Sequence, residues 1–479
     1  MAGTDLRGFI AQLKPAGELQ EISAPVDAKL EISEIYNRVV KRAGPALLFN
    51  NVKGYKTPVL INAFGSLKRV ALALGSDSLA AVQNRIASFL KNEFPKGITQ
   101  PDSPTQRLAS FQPRIVNTAP CKEIILKDKF SLLDLPLLQC WPEDHGIQIN
   151  LASVFTKDQE TGTRNVGIYR MQVVGEKATG IHWQIHKHGA INLRKQQKLA
   201  KPMEVAVAIG CEPGVCLAAF SPMPEGFDEL LLAGFLCQNP IPIIKCETVD
   251  LYVPANAEII LEGYINPYET ILEGPFGERT GYYSPTGKFP KFNVTCLTMR
   301  KNPIYQTTVV GRPPMEDYYM GAALMQILLP VIQLYIPEIV DINLPAEGIL
   351  QNIVIVSIKK EYPWQARKVM HALWGMGQMM FFKVIVVVDA DVNVHNLSEV
   401  LWQVGNNIDP KWDVTFTEGP VGELDHSSRE RHLGTKMGID ATAKMTEEGC
   451  KHTWPAQVKM RQDIEDLVTG RWVEYGIKM

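Results

Sequence analysis

The 479-residue sequence predicts an α+β protein in three consecutive parts. Three observations carry this expectation. Residues 1–100 mix helical and strand signals. From about 115 to 310, short β-rich runs follow one another between turn residues. Beyond 320, strands alternate with helices. The length agrees with about three units of 100–200 residues. The proline-rich, polar stretch Pro95 to Pro113 marks the first junction. The units are therefore expected at 1–114, 115–315 and 316–479.

In the first unit, Ile32, Ile35, Val39 and Val40 recur at helical spacing. Ala46 to Phe49 and Val59 to Asn62 read as short strands, and Ser78 to Phe94 as a helix. In the second, the β-rich runs are Ile124 to Leu126, Gly167 to Val174, Val205 to Ile209, Ile243 to Cys246, Glu258 to Leu261 and Asn293 to Met299. Their close spacing predicts an antiparallel sheet or barrel with inserted helices. In the third, Ile353 to Ile358, Phe382 to Val388 and Val414 to Phe416 are expected as strands. Trp364 to Met379 and Leu397 to Val404 are expected as helices, which makes βαβ units. The tail from Glu447 onward mixes charges with apolar residues, including Trp454 and Trp472, and is expected to dock on another subunit.

Composition narrows the function classes. With 46% hydrophobic and 21% charged residues, the chain is globular. A formal net charge of −2 gives no reason to expect nucleic acid or an anionic membrane as main partner. The most apolar window, Ala322 to Ile336, is too short to span a bilayer and contains Gln326, Pro330 and Gln333. The N-terminus lacks the apolar run of a signal peptide. Eight dispersed cysteines form no CxxC pair and are expected as buried, reduced thiols. A cytoplasmic protein is expected.

The most informative stretch is Leu272 to Tyr283, LEGPFGERTGYY. It sets Glu273 and Glu278 five residues apart across a turn. Pro275 removes a backbone donor, and Gly274 and Gly277 permit angles that other residues resist. Such a turn can point both carboxylates into one cavity, where one stays ionised and the other is held protonated. An ordinary surface loop is the alternative. Arg170, in NVGIYR, is expected to share a strand face with Ile168 and suits a carboxylate or phosphate, unless it lies on a solvent edge. HWQIHKH, residues 182–188, would bring three histidines to one face if it is a strand, as metal ligands or as a plain surface strand. Glu225, Asp228 and Glu229 open an expected helix, where they complement its dipole or reach a hard cation. No GxGxxG, P-loop or GxSxG occurs, so neither a phosphate loop nor a serine nucleophile has support.

Six ordered segments, NVGIYR (165–170), HWQIHKHGA (182–190), IPIIKCETVDLYVPANAEIILEG (241–263), EGPFGERTGYY (273–283), GRPP (311–314) and GTKMGIDAT (434–442), together resemble the UbiD family. Its members are reversible decarboxylases that use prenylated FMN. The resemblance spans nearly the whole chain and is closest to the aromatic-acid branch. It implies an N-terminal α/β domain, a central split β-barrel related to flavin reductases that holds the cofactor, and a C-terminal α/β domain for oligomerisation into dimers or hexamers. It implies an ionic network of Arg170, Glu273 and Glu278, with Glu278 as proton donor. It places metal ligands on Asn165, His188 and Glu229, with His186 competing for the histidine position. Flavin contacts fall on Asn165, Ile168, Tyr169, Arg170, His182, Trp183, Gln184, Lys187, His188 and Glu229, with Lys383 for the phosphate. Mn²⁺ or Mg²⁺ suits the oxygen-rich set, with K⁺ as a companion by the same resemblance. A separate flavin prenyltransferase would supply the cofactor.

The chain departs from ubiquinone-pathway members, which carry Asp at the position of Glu278 and Arg at those of His182 and Lys187. Glu at 278 resembles the ferulate decarboxylase branch. The expected reaction is loss of CO₂ from an aromatic, hydroxylated or plain, carboxylic acid. It leaves an electron pair that no side chain delocalises, so a cofactor must accept it. The competing readings are decarboxylation of a cinnamate-like unsaturated acid, a flavin-binding protein without decarboxylase activity, and an ordinary FMN reductase.

Overall fold

The computed structural model describes residues 5–92 and 104–477. The end of the expected first junction helix and most of the junction, Glu93 to Ser103, lie outside the described residues.

Helix Leu6–Leu13 opens the chain. Asp5 caps it by accepting from the Gly8 N–H at 2.9 Å, and Leu6, Phe9 and Leu13 form its buried stripe. Helix Glu31–Val40 buries Ile32, Tyr36 and Val40 in the same way. The first sheet has four strands, in the order Leu19–Ile22, Ala46–Phe49, Val59–Ile61 and Tyr305–Gln306. The fourth comes from far along the chain and pairs parallel with Val59–Ile61. Helix Leu79–Asn92 packs against helix Glu316–Gln333. The first and third parts are therefore in direct contact.

The centre is an antiparallel sheet of nine strands. Its spine is the pair Ile259–Glu273 and Gly287–Met299. On one side follow Ala178–Ile181, Met171–Gly175 and Gln148–Ile149. On the other follow Met203–Ile209, Ser153–Lys157 and Arg164–Ile168, while Ile124–Leu126 also pairs with Gly287–Met299.

Two expectations are corrected here. The run 167–174 is two strands broken at Tyr169 and Arg170, so Arg170 sits in the break and not on a continuous strand face. Residues 182–188 form no strand. The strand ends at Ile181, the Lys187 N–H closes a turn on the Gln184 carbonyl at 3.0 Å, and helix His188–Lys198 begins. The physical reason is packing. A Cβ on Gly189 would lie 2.7 Å from the Trp183 ring, so the helix start rests directly on the indole.

The last sheet runs Ile339–Asn343, Ile353–Ile358, Val384–Asp389, Leu433–Asp440 and Val414–Pro420, with its three middle strands parallel. Val354, Val356 and Ile358 pack on one face, and Ile355, Val386 and Val388 on the other. Burial on both faces explains why these strands read as unbroken apolar runs. The expected helix 364–379 is Gln365–Trp374 followed by a 3₁₀ turn. Helix Gln462–Gly470 in the tail has no buried residue. Among the described residues no helix is long and apolar enough to cross a membrane. All eight cysteines are free, seven of them buried.

Helix Glu316–Gln333 begins on a fully buried carboxylate. Glu316 accepts from the Phe64 N–H at 2.7 Å, and burial pushes its pKa up to about 7. A raised carboxyl pKa adds stability below its unfolded value, and that contribution is lost as pH rises through the folded value. The difference between about 4.5 and about 7 corresponds to about 3 kcal/mol. Glu316→Gln is expected to gain stability over the parent at pH 8 and to show little difference at pH 5. Urea unfolding at both values checks this, and equal shifts at the two would refute it.

Candidate active site

Strands Met171–Gly175 and Ala178–Ile181 form an antiparallel pair whose ladder continues one step, the His182 N–H donating to the Arg170 carbonyl at 3.1 Å. Arg170 and His182 are therefore neighbours. Glu273 ends the strand Ile259–Glu273, opposite Gly287. Beyond it the chain turns at Gly274, which has φ +93°, a left-handed conformation that favours glycine. The Gly274 N–H is held by Gln172 Oε1 at 2.9 Å and the Gly277 N–H by Asp144 Oδ1 at 2.8 Å. Gly277 is needed for space, because a Cβ there would stand 2.2 Å from Trp141 Cδ1. The Glu278 N–H then donates to the Tyr282 carbonyl at 3.0 Å.

This turn carries both carboxylates to one guanidinium. Arg170 Nε donates to Glu273 Oε1 at 2.8 Å, Nη1 donates to Glu278 Oε1, and Nη2 faces His182 Nδ1 at 2.8 Å. His182 Nδ1 is also 3.1 Å from Glu273 Oε2. Side-chain exposure is 1% for Glu273, 5% for Glu278 and 11% for Arg170. The guanidinium lies 4.4 Å from the Phe276 ring centre, and the His182 ring 4.2 Å from that of Phe289. All three guanidinium nitrogens thus face protein groups. Burial disfavours the Glu273 carboxylate, but the contact with His182 and the charge of Arg170 outweigh it and hold its pKa below the usual range. Burial and Arg170 together lower that of His182.

In and beside this cluster, three ring nitrogens are buried without a protein partner: His182 Nε2, Trp183 Nε1 and His186 Nε2. Lys187 donates to Gln378 Oε1 at 2.7 Å, and burial, with Arg279 adding like charge, pushes its pKa down to about 8. The His186 ring packs at a tilt of 47° against Phe381, 4.2 Å between centres, and burial takes its pKa down to about 4. Unpartnered buried donors beside a desolvated ammonium fit a ligand with many acceptors and negative charge.

Asn165 and Ile168 lie in the strand Arg164–Ile168, followed by Tyr169. The Tyr169 hydroxyl lies between the Asn165 side chain and the backbone of Gly189, with Glu229 close by. Glu229 opens helix Glu229–Cys237 after the cap Asp228. It accepts from the Val166 N–H at 2.9 Å, and burial pushes its pKa up to about 7. Asn165, Glu229 and the helix start at His188 therefore converge. Among the described residues no group of three or more His, Cys, Asp or Glu is placed to hold a metal. This set offers two such residues plus an amide. The Lys383 ammonium is held by Asp425 at 2.9 Å and by Ser427.

Family models of 3-octaprenyl-4-hydroxybenzoate carboxy-lyase match residues 10–88 (N-terminal domain), 114–313 (Rift-related domain) and 318–441 (C-terminal domain). The chain belongs to the UbiD family, and its enzyme class is carboxy-lyase. It is 48% identical to an uncharacterised protein of Archaeoglobus fulgidus, over 99% of both chains. Its structure resembles vanillic acid decarboxylase of Sedimentibacter hydroxybenzoicus in closed form, with 29% identity, 99% of each chain covered and a TM-score of 0.88. The UbiD-class enzyme HmfF of Pelotomaculum thermopropionicum, solved with FMN, gives 30% identity and a TM-score of 0.81, over 97% of this chain and all of that one.

Proposed function

We propose that this chain catalyses the reversible, non-oxidative decarboxylation of an aromatic carboxylic acid with prenylated FMN bound in the central domain, read as a split β-barrel. The observation that carries this reading is the buried Arg170–Glu273–Glu278 cluster set against unpartnered donors. Prenylated FMN, when bound, supplies the electron sink that side chains lack.

The residues divide the remaining work. One cation faces two buried carboxylates, and like charges in a low-dielectric site disfavour ionising both. Glu273, bonded by Arg170 Nε, is the one held ionised. A proton entering the cluster resides on Glu278, which delivers it to the carbon left by CO₂. Arg170 acts by positioning the two acids, since its nitrogens are engaged by protein groups. Lys187 and the donors of His182 and Trp183 receive the flavin. Asn165, His188 and Glu229 would hold Mn²⁺ or Mg²⁺, because a cation relieves the buried Glu229 carboxylate. His188 is preferred to His186, whose ring packs at a tilt against Phe381. The exposed, unburied tail helix supports a homo-oligomer. Cinnamate-like acids are the second reading, favoured by the longer acid at 278.

Anaerobic reconstitution with prenylated FMN and Mn²⁺, followed by CO₂ release from aryl and acrylic acids, tests the proposal. No release from any acid of the panel would end it. Glu229→Ala is expected to lose metal and flavin together. Flavin absorbance that stays with the protein through gel filtration would contradict that role.

A further inference from the structure

We propose that His182 is a positioning residue: a neutral imidazole whose Nδ1 is locked as an acceptor by Arg170, leaving Nε2–H as a fixed, buried donor to an acceptor atom of the bound flavin or of the substrate carboxylate. This rests on the proposed function only for the identity of the ligand.

The argument is a proton count. His182 Nδ1 meets a donor nitrogen, Arg170 Nη2, at 2.8 Å and a carboxylate oxygen, Glu273 Oε2, at 3.1 Å. One ring nitrogen cannot satisfy both. A proton on Nδ1 would bond Glu273 but drive N–H against N–H at the shorter contact, and Arg170 cannot give up its own. With Nδ1 bare, the shorter contact becomes a charge-assisted hydrogen bond. Glu273 Oε2 then meets a lone pair, while its other oxygen keeps the 2.8 Å bond from Arg170 Nε. The remaining proton must be on Nε2, and that atom is buried with no partner in the protein. The ring is fixed in place by the Phe289 contact and by a side chain only 10% exposed. The charged groups that act on it are Arg170, Glu273 and, from the third domain, Glu423. A buried donor without a partner calls for an acceptor on a ligand.

The test uses full-length protein with ¹⁵N-labelled histidine, observed by NMR from pH 5.5 to 8 without ligand, with His182→Asn assigning the signal. The expected result is a ring protonated on Nε2 and bare on Nδ1 that does not titrate. Adding FMN shifts the Nε2 signal if the acceptor is on the flavin. A shift only when 4-hydroxybenzoate is added to the FMN-loaded protein assigns it to the carboxylate. A proton on Nδ1, titration within that range, or an Nε2 signal unmoved by both probes overturns the proposal. His182→Asn retains an acceptor for Arg170 but no donor at the Nε2 position. It is expected to keep the thermal stability that His182→Leu loses while weakening FMN or hydroxybenzoate binding about 10-fold, as one lost hydrogen bond predicts. The ligand-free measurement stands even if the decarboxylation panel fails, so the two proposals fail separately.

Discussion

Glu278→Gln is expected to lower decarboxylation by about 10²–10⁴-fold, the usual contribution of a positioned acid, while flavin stays bound. The substitution is nearly isosteric. The amide oxygen still accepts from Arg170 Nη1, so the turn anchored by Gln172 and Asp144 keeps its shape. What disappears is a proton that can be given up. Glu278→Asp, a shorter acid, keeps that proton and should retain more activity than the amide. The measurement is CO₂ release beside flavin absorbance on the same samples. Parent-like turnover by the Gln variant would remove Glu278 from the chemistry.

Arg170→Met is expected to be the most destabilising change in the site, by about 3–5 kcal/mol at neutral pH, because it leaves a buried carboxylate without its counter-charge. Glu273 is only 1% exposed and cannot turn to water. In the parent its pKa is held low, so its stabilising contribution is present above the ordinary carboxyl range and lost as pH falls through the folded value. Without Arg170, burial dominates and the sign reverses: stability is lost as pH rises through a raised pKa. The gap between parent and variant should therefore widen from pH 5 to pH 7.5 in urea titrations. A constant gap would mean that lost packing on Phe276, not charge, explains the cost.

The residues that the sequence made legible are those whose environment is local or uniform. The segment IVIVSI reads as a strand because both of its faces are buried. The two glutamates of the turn read as partners because Gly274 and Pro275 announce a reversal between them. The segment HWQIHKH misleads because polar His182, Gln184 and His186 alternate with apolar Trp183 and Ile185, which imitates a strand. The helix that begins at His188 is instead set by Gly189 meeting Trp183, a tertiary contact with no periodic signature. Gln172 and Asp144 shape the active turn from 102 and 133 residues away, and nothing in their own neighbourhoods signals it. Likewise the residues around Arg170 leave open whether it faces a ligand, a carboxylate or solvent, and only the family resemblance pairs it with Glu273 and Glu278. Only the fold shows that every nitrogen of its side chain faces a protein group.

The strand Tyr305–Gln306 has a consequence for biosynthesis. The first sheet receives its fourth strand from a segment translated some 245 residues after Val59–Ile61 (306 − 61 = 245). At about 5–20 residues per second, the ribosome needs roughly 12–50 s to deliver it. Throughout that interval the Val59–Ile61 edge is unpaired on the nascent chain. The N-terminal region therefore cannot be finished as a first-made unit, and its completion waits for the whole central sheet to emerge.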